Sequence, residues 1–216
     1  HPGHRPSFLE STLLNRGCWA NDDIADNSVM QIMNGAFNKE FFKSRKIWTD
    51  ALLANKKVFV IAGNDAHGDF SRTRKIGFPF LSAKENNDHR FGVNRTLVPS
   101  AVARPEIISS VKKGLSVISN GPFITMNAIK EESTISTGMS FNTNALCTLE
   151  AISTEEFGSL FMLRLYVGII GNSKESILKE WRIEKSTMHF KADYSVHLNE
   201  KSYIRAEVTT ETNYYA

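Results

Sequence analysis

Hydrophobic and polar positions follow two different rhythms along this 216-residue chain, and the change falls near Gly121-Pro122. Before it, apolar runs alternate with helical spacing. Residues 28–33 read as a short strand stopped by Asn34-Gly35. Over residues 39–55, Phe41, Trp48 and Leu52 recur at spacings of seven and four, with Phe42 and Leu53 flanking them, which predicts an amphipathic helix. Residues 57–62 form a β-branched and aromatic run that ends in glycine, the mark of a buried strand reaching its C-terminal edge. Residues 95–98 read as another short strand. Residues 105–113 read as a helix with Pro105 in its first turn, Lys112 and Lys113 in its last and Gly114 after it. Residues 115–119 return as a strand. Strands and helices alternating in this way predict an α/β domain with parallel pairing.

After Gly121-Pro122 the period becomes two. Strands are predicted at 123–129, 145–154, 160–170, 177–184, 188–196 and 202–209, separated by turns such as Gly171-Asn172-Ser173. In the last of them Ile204, Ala206 and Val208 share one face. Six strands without a helix predict an antiparallel sheet or β-sandwich. The chain therefore divides into 1–122, an α/β part, and 123–216, a β-rich part.

The candidate chemistry starts where strand 57–62 ends, in Gly63-Asn64-Asp65-Ala66-His67-Gly68. Open α/β sheets and α/β barrels place their chemistry at that edge. Asp65 and His67 are two residues apart, so an extended strand end delivers both side chains to one face. A carboxylate and an imidazole presented together suit a divalent metal. A Gly/Asn/Asp turn with a solvated histidine is the other reading. The segment from 63 to about 94 is rich in Gly, Asn, Asp, Arg and Lys, and loops of that length carry function or mobility.

The chain opens on His1-Pro2-Gly3-His4-Arg5-Pro6, which has neither the charged nor the apolar region of a signal peptide. Prolines and glycine make a rigid loop that can present imidazole to a metal; a tag remnant is the other explanation. The order of residues looks like the middle of a protein, and the end at Ala216 also looks cut. Compartment is left open, leaning to the cytoplasm.

Composition narrows the field. At 41% hydrophobic and 23% charged the chain can bury one large core or two modest ones. A net charge of +3 without a basic, aromatic-interleaved stripe argues against nucleic acid. No apolar run approaches the roughly 20 residues of a membrane-spanning helix. Cys18 and Cys147 follow no metal-ligand spacing and read as core thiols. Asn94-Arg95-Thr96 fits a glycosylation acceptor pattern that is common by chance.

Taken in order, His1-Pro2-Gly3, Gln31-Ile32-Met33-Asn34-Gly35, residues 48–53, Gly63-Asn64-Asp65-Ala66-His67, Asn94-Arg95-Thr96 and Ser119-Asn120-Gly121-Pro122 resemble the C-terminal half of the PHP (polymerase and histidinol phosphatase) domain, in a branch that carries a β-rich tail. The resemblance covers nearly the whole chain. It implies the C-terminal part of a distorted, TIM-like (β/α)7 barrel followed by an antiparallel β-sandwich-like domain. It also implies a metal-dependent phosphoesterase acting on phosphate mono- or diesters through two or three Zn, Mn or Fe ions. Carried onto this chain, His1, Asp65 and His67 match the family's later metal ligands, Asp65 and His67 being the catalytic pair. The early His-x-His, the Asp-His and the Glu have no counterpart. The remaining ligands are thus expected on a missing N-terminal segment of the same protein, and this chain alone is expected to be inactive.

A small phosphorylated substrate needs guanidinium or similar donors. Arg5, Arg72 and Arg95 are the candidates, each with a solvated surface arginine as its other reading, and Arg74 is a weaker one. Asn34 and Asn64 orient a ligand or substrate, or else mark turns. The alternative to a phosphoesterase is a non-catalytic protein that keeps part of the scaffold and binds carbohydrate, peptide or another subunit through its β-rich tail. An amidohydrolase-type enzyme is a third option, against which the Asp65/His67 pair argues.

Overall fold

The structure, a computed structural model, describes residues 24–35, 37–64, 73–77, 82–86, 91–99, 104–130, 133–140 and 144–216; at 73–77, 82–86, 104 and 130 it describes the backbone alone. The first lobe opens with β1 (Ser28–Asn34), α1 (Lys39–Leu53) and β2 (Val58–Gly63). β1 and β2 pair in parallel, with Ser28 opposite Val58 and Asn34 opposite Gly63. Asn38 caps the connecting helix, its side-chain oxygen accepting from the Glu40 N–H at 2.8 Å. Asn55 takes the chain out of the helix at φ 64°, a left-handed conformation that asparagine tolerates.

α1 buries Phe41, Ala51 and Leu53, together with Ser44 and Thr49. The Ser44 hydroxyl is satisfied by donating to the Glu40 carbonyl at 2.9 Å. Trp48, expected on the inner stripe, is half-buried and donates from Nε1 to the Val58 carbonyl at 2.9 Å. Phe42, expected beside that stripe, is exposed.

The described residues do not form the expected α/β, TIM-like barrel. Among the described residues thirteen strands accompany only two helices, and β1–β2 is the one parallel pair. Within the segment expected as loop lies an antiparallel hairpin, β3 (Thr73–Gly77) and β4 (Ser82–Asn86). β5 (Arg95–Leu97), α2 (Arg104–Lys112) and β6 (Val117–Ser119) have the strand–helix–strand order of a parallel unit, yet β5 and β6 run antiparallel. Leu97, the last residue of β5, faces Val117, the first of β6. The chain therefore re-enters at the end it left, so α2 sits inside a turn instead of crossing over. A parallel barrel needs every such connection to return to the opposite end.

The remaining described strands are antiparallel. One sheet has the order β12 (His189–Val196), β9 (Ala145–Ile152), β7 (Phe123–Lys130), β8 (Ser133–Ser136). The other has the order β11 (Ser176–Arg182), β10 (Leu160–Ile169), β13 (Ser202–Thr210). Each strand predicted from period-two patterning lies within two residues of an observed one; β8 escaped that reading. Alternate residues point inward, so Cys147, Leu149 and Ala151 of β9 meet Leu163 and Leu165 of β10 and Val208 of β13 in one core.

The two lobes share a seam. Tyr215, five residues beyond β13, is buried in the first lobe's core with Met33, Phe41, Val58 and Ile118. Its ring stacks on Phe37 at 5.0 Å and meets Phe41 edge-on at 5.1 Å. Asn120 receives it: the Asn120 side-chain oxygen accepts from the Tyr215 N–H at 2.7 Å, and the Asn120 N–H donates to the Tyr215 carbonyl at 3.0 Å. The Ser119-Asn120-Gly121-Pro122 stretch thus anchors the end of the described chain. Ser119 reinforces it by accepting from the Gly121 N–H at 2.8 Å and donating to the Pro122 carbonyl.

Candidate functional site at the C-terminal strand edge

The parallel pair ends at Asn34-Gly35 and Gly63-Asn64, the edge from which the Asp65–His67 segment departs. Asn94 fastens the two strand ends together. Its amide nitrogen donates to the Gly35 carbonyl at 2.8 Å and to the Gly63 carbonyl at 2.9 Å. Asn64 and Asn94 also clasp each other: the Asn94 N–H donates to Asn64 Oδ1 at 2.7 Å, and Asn64 Nδ2 donates to the Asn94 carbonyl at 3.1 Å. Two residues on, the Thr96 hydroxyl accepts from the Ala62 N–H at 2.9 Å and reaches the Ala62 carbonyl at 3.3 Å. Backbone groups at the end of the ladder are thereby satisfied by side chains.

Asn94 is 4% exposed and its Oδ1 has no hydrogen-bond partner among the described residues. A buried amide that spends both donors on strand ends and keeps an open acceptor is a costly arrangement. That burial also removes Asn94 from consideration as a glycan acceptor on the folded chain. Gly63 fits the same economy of space. A Cβ there would lie 2.7 Å from Gln31 Nε2, which instead donates to Asn34 Oδ1 at 2.7 Å.

Of the predicted site residues, Asn34, Asn64 and Arg95 are described with their side chains, and all three gather at or beside this edge; Arg74, in β3, is described in its backbone alone. Arg95 is engaged: its Nε donates to the Gly92 carbonyl at 2.9 Å, and its guanidinium lies 5.1 Å from the centre of the Phe157 ring. His1, Arg5, Asp65, His67 and Arg72 lie outside the described residues. Among the described residues no group of three or more His, Cys, Asp or Glu side chains is placed to hold a metal ion. The expected multinuclear His/Asp cluster is therefore not among them, and they do not by themselves fit a two- or three-metal site. The predicted ligands His1, Asp65 and His67 lie outside the described residues, and the described side chains at the strand edge are amides and a hydroxyl.

Sequence reasoning missed a second constellation, at the seam. Arg205 of β13 donates from Nε to Glu175 Oε2 at 2.8 Å, and its two Nη atoms reach Glu175 and Glu207. Arg45 of α1 approaches the same carboxylates, with Nε 2.5 Å from Glu207 and Nη2 3.5 Å from Glu175. The Arg45–Glu207 contact is off the line of the N–H and is an ion pair rather than a hydrogen bond. Arg205 also lies 4.1 Å from the Tyr166 ring centre and 5.6 Å from that of Trp48. Burial alone would raise the Glu207 pKa, but Arg205 and Arg45 outweigh it and hold the carboxyl below its usual range. Burial pushes the Tyr215 hydroxyl well up, and the Glu207 charge adds to that. The partners are 130 residues apart for Arg45 and Glu175, so no local pattern could reveal them.

No protein-family model matches this chain, no curated protein matches its sequence, and no solved structure matches its fold.

Proposed function

We propose that the chain carries part of a metal-dependent phosphoester hydrolase of the PHP type, its share of the site being the C-terminal edge of β1 and β2 and the segment that follows. The observation that supports this reading is the Asn64–Asn94 clasp. It spends a buried amide to hold two strand ends in register immediately before Asp65, the position where a strand edge would need a fixed direction to deliver a ligand. In this reading Asp65, His67 and His1 serve as metal ligands, with further ligands supplied by upstream sequence. Asn94, Asn64 and Thr96 hold the edge. Arg95 is held by Phe157 and Gly92, which leaves phosphate binding chiefly to Arg5 and Arg72.

The test is the protein carrying its upstream coding sequence. Purified without chelator, it should contain two or more equivalents of Zn, Mn or Fe and hydrolyse p-nitrophenyl phosphate, and Asp65→Asn and His67→Gln should each remove metal and activity together. A product with no bound metal and no hydrolysis of mono- or diester substrates overturns the reading.

A further inference from the structure

A cavity of about 400 Å3 opens at the seam between the lobes, walled by apolar side chains that include Trp48, Val60, Ile124, Met126 and Ile204. Its volume lies within the roughly 300–1,000 Å3 typical of small-molecule sites. The charged side chains around it are one-sided among the described residues. Lys56, Lys57, Lys201 and Arg205 line it, and no acidic side chain does among the described residues. Arg205 is neutralised by Glu175 and Glu207, so Lys57 and Lys201 set the sign. Lys57 and Lys201 are exposed and take part in no ion pair among the described residues; the Lys57 ammonium lies 5.5 Å from the centre of the Phe59 ring, another lining residue. Asp26 accepts from the Lys57 backbone N–H at 2.6 Å but does not line the cavity.

An apolar chamber whose charged lining side chains, among the described residues, are all cationic is complementary to an amphiphilic anion. We infer that this cavity binds a medium-chain carboxylate, its alkyl chain inside against Val60, Ile124 and Ile204 and its carboxylate toward Lys57 and Lys201. Apolar burial of the chain supplies the attraction. The lysines set which end stays outside, and they discriminate against neutral or cationic amphiphiles. The site is separate from the strand edge of β1 and β2 and does not depend on any hydrolytic role.

The experiment titrates the full chain with decanoate below its micellar range, by calorimetry and by displacement of an anionic fluorescent probe. Saturable one-to-one binding is expected. Decanol should bind at least several-fold more weakly, and decyltrimethylammonium should fail to compete. The double charge reversal Lys57→Glu/Lys201→Glu, at two exposed positions, should weaken decanoate about tenfold. Ala206→Phe, which fills the cavity from β13, should abolish binding in a protein whose circular dichroism is unchanged; if that variant does not fold, the charge-reversal pair decides. Absence of saturable binding overturns the inference, as would happen were the cavity filled in solution by another stretch of chain. So does decanoate binding unaltered by the lysine reversals, or by Ala206→Phe in a folded protein.

Discussion

Replacing Arg205 with Met isolates what the buried ion cluster contributes. Arg205 and Glu207 are 8% and 6% exposed, and the cluster holds two arginines against two carboxylates. Arg205→Met leaves Arg45 alone between Glu175 and Glu207, so one buried carboxylate loses its compensation. Removing one partner of a buried pair costs roughly 3–5 kcal/mol, which in a chain of this size lowers the melting temperature by roughly 6–20 °C. Adding Glu207→Gln restores balance, because Arg45 and Glu175 then face each other alone. The double variant should be more stable than Arg205→Met by over about 1 kcal/mol, a coupling that independent sites do not show. Urea unfolding at pH 7, followed by circular dichroism, measures all four species. The pH dependence gives a second reading. Since the folded state holds Glu207 below the ordinary glutamate value near 4.5, the stabilisation is fully present above that value and is lost as pH falls through the depressed one. The gap between wild type and Glu207→Gln should therefore be constant from pH 6 to 8 and close in acid. An Arg205→Met variant within about 1 kcal/mol of wild type, or a double variant costing the sum of the singles, refutes the reasoning.

Three further outcomes follow from other sites. Asn94→Leu leaves the Gly35 and Gly63 carbonyls without their side-chain donor and should cost about 1–3 kcal/mol in urea unfolding; a neutral result would show that the clasp holds nothing. Gly114 sits at φ +73°, and a Cβ there would lie 2.2 Å from the Phe59 ring, so Gly114→Ala should destabilise by about 1–3 kcal/mol, read as a lowered urea midpoint. The Cys147 thiol is fully buried, and burial pushes its pKa to about 11. In a Cys18→Ser background it should react with a disulfide reagent at pH 8 only as fast as the sandwich opens, and modification within seconds of mixing contradicts the placement.

Individual elements were legible in the sequence, but their pairing was not. Period-two alternation located Ile204, Ala206 and Val208 on a strand because one face of β13 meets the sandwich core, a local consequence of burial. Helix punctuation located α2 because Pro105 and Gly114 act within a turn of themselves. Neither signal carries strand direction. The same strand–helix–strand order yields a parallel pair around α1 and an antiparallel pair around α2, and only the return point, Leu97 against Val117, distinguishes them. At the strand edge, Asn64 reads from the sequence as a turn or orienting residue, whereas the part played by Asn94 rests on contacts 31 and 59 residues distant.

The position of α1 connects the two constellations. Its inward face packs on the core beneath β1 and β2, while Arg45, on the same helix, is held by Glu175 and Glu207 of the sandwich. Helix α1 is also the connection that makes β1 and β2 parallel, and parallel strands bring both C-terminal ends to one edge. A two-stranded parallel pair is a weak unit by itself, since small sheets need packing partners to persist. Support from the sandwich through Arg45, and through Tyr215 on Asn120, therefore stabilises the lobe that presents Asn34, Asn64 and Asn94. On this argument the β-rich part is structurally required by the strand edge whichever ligand that edge meets. Loosening the Arg205 cluster should consequently raise amide exchange in β1 and β2 as well as in β13.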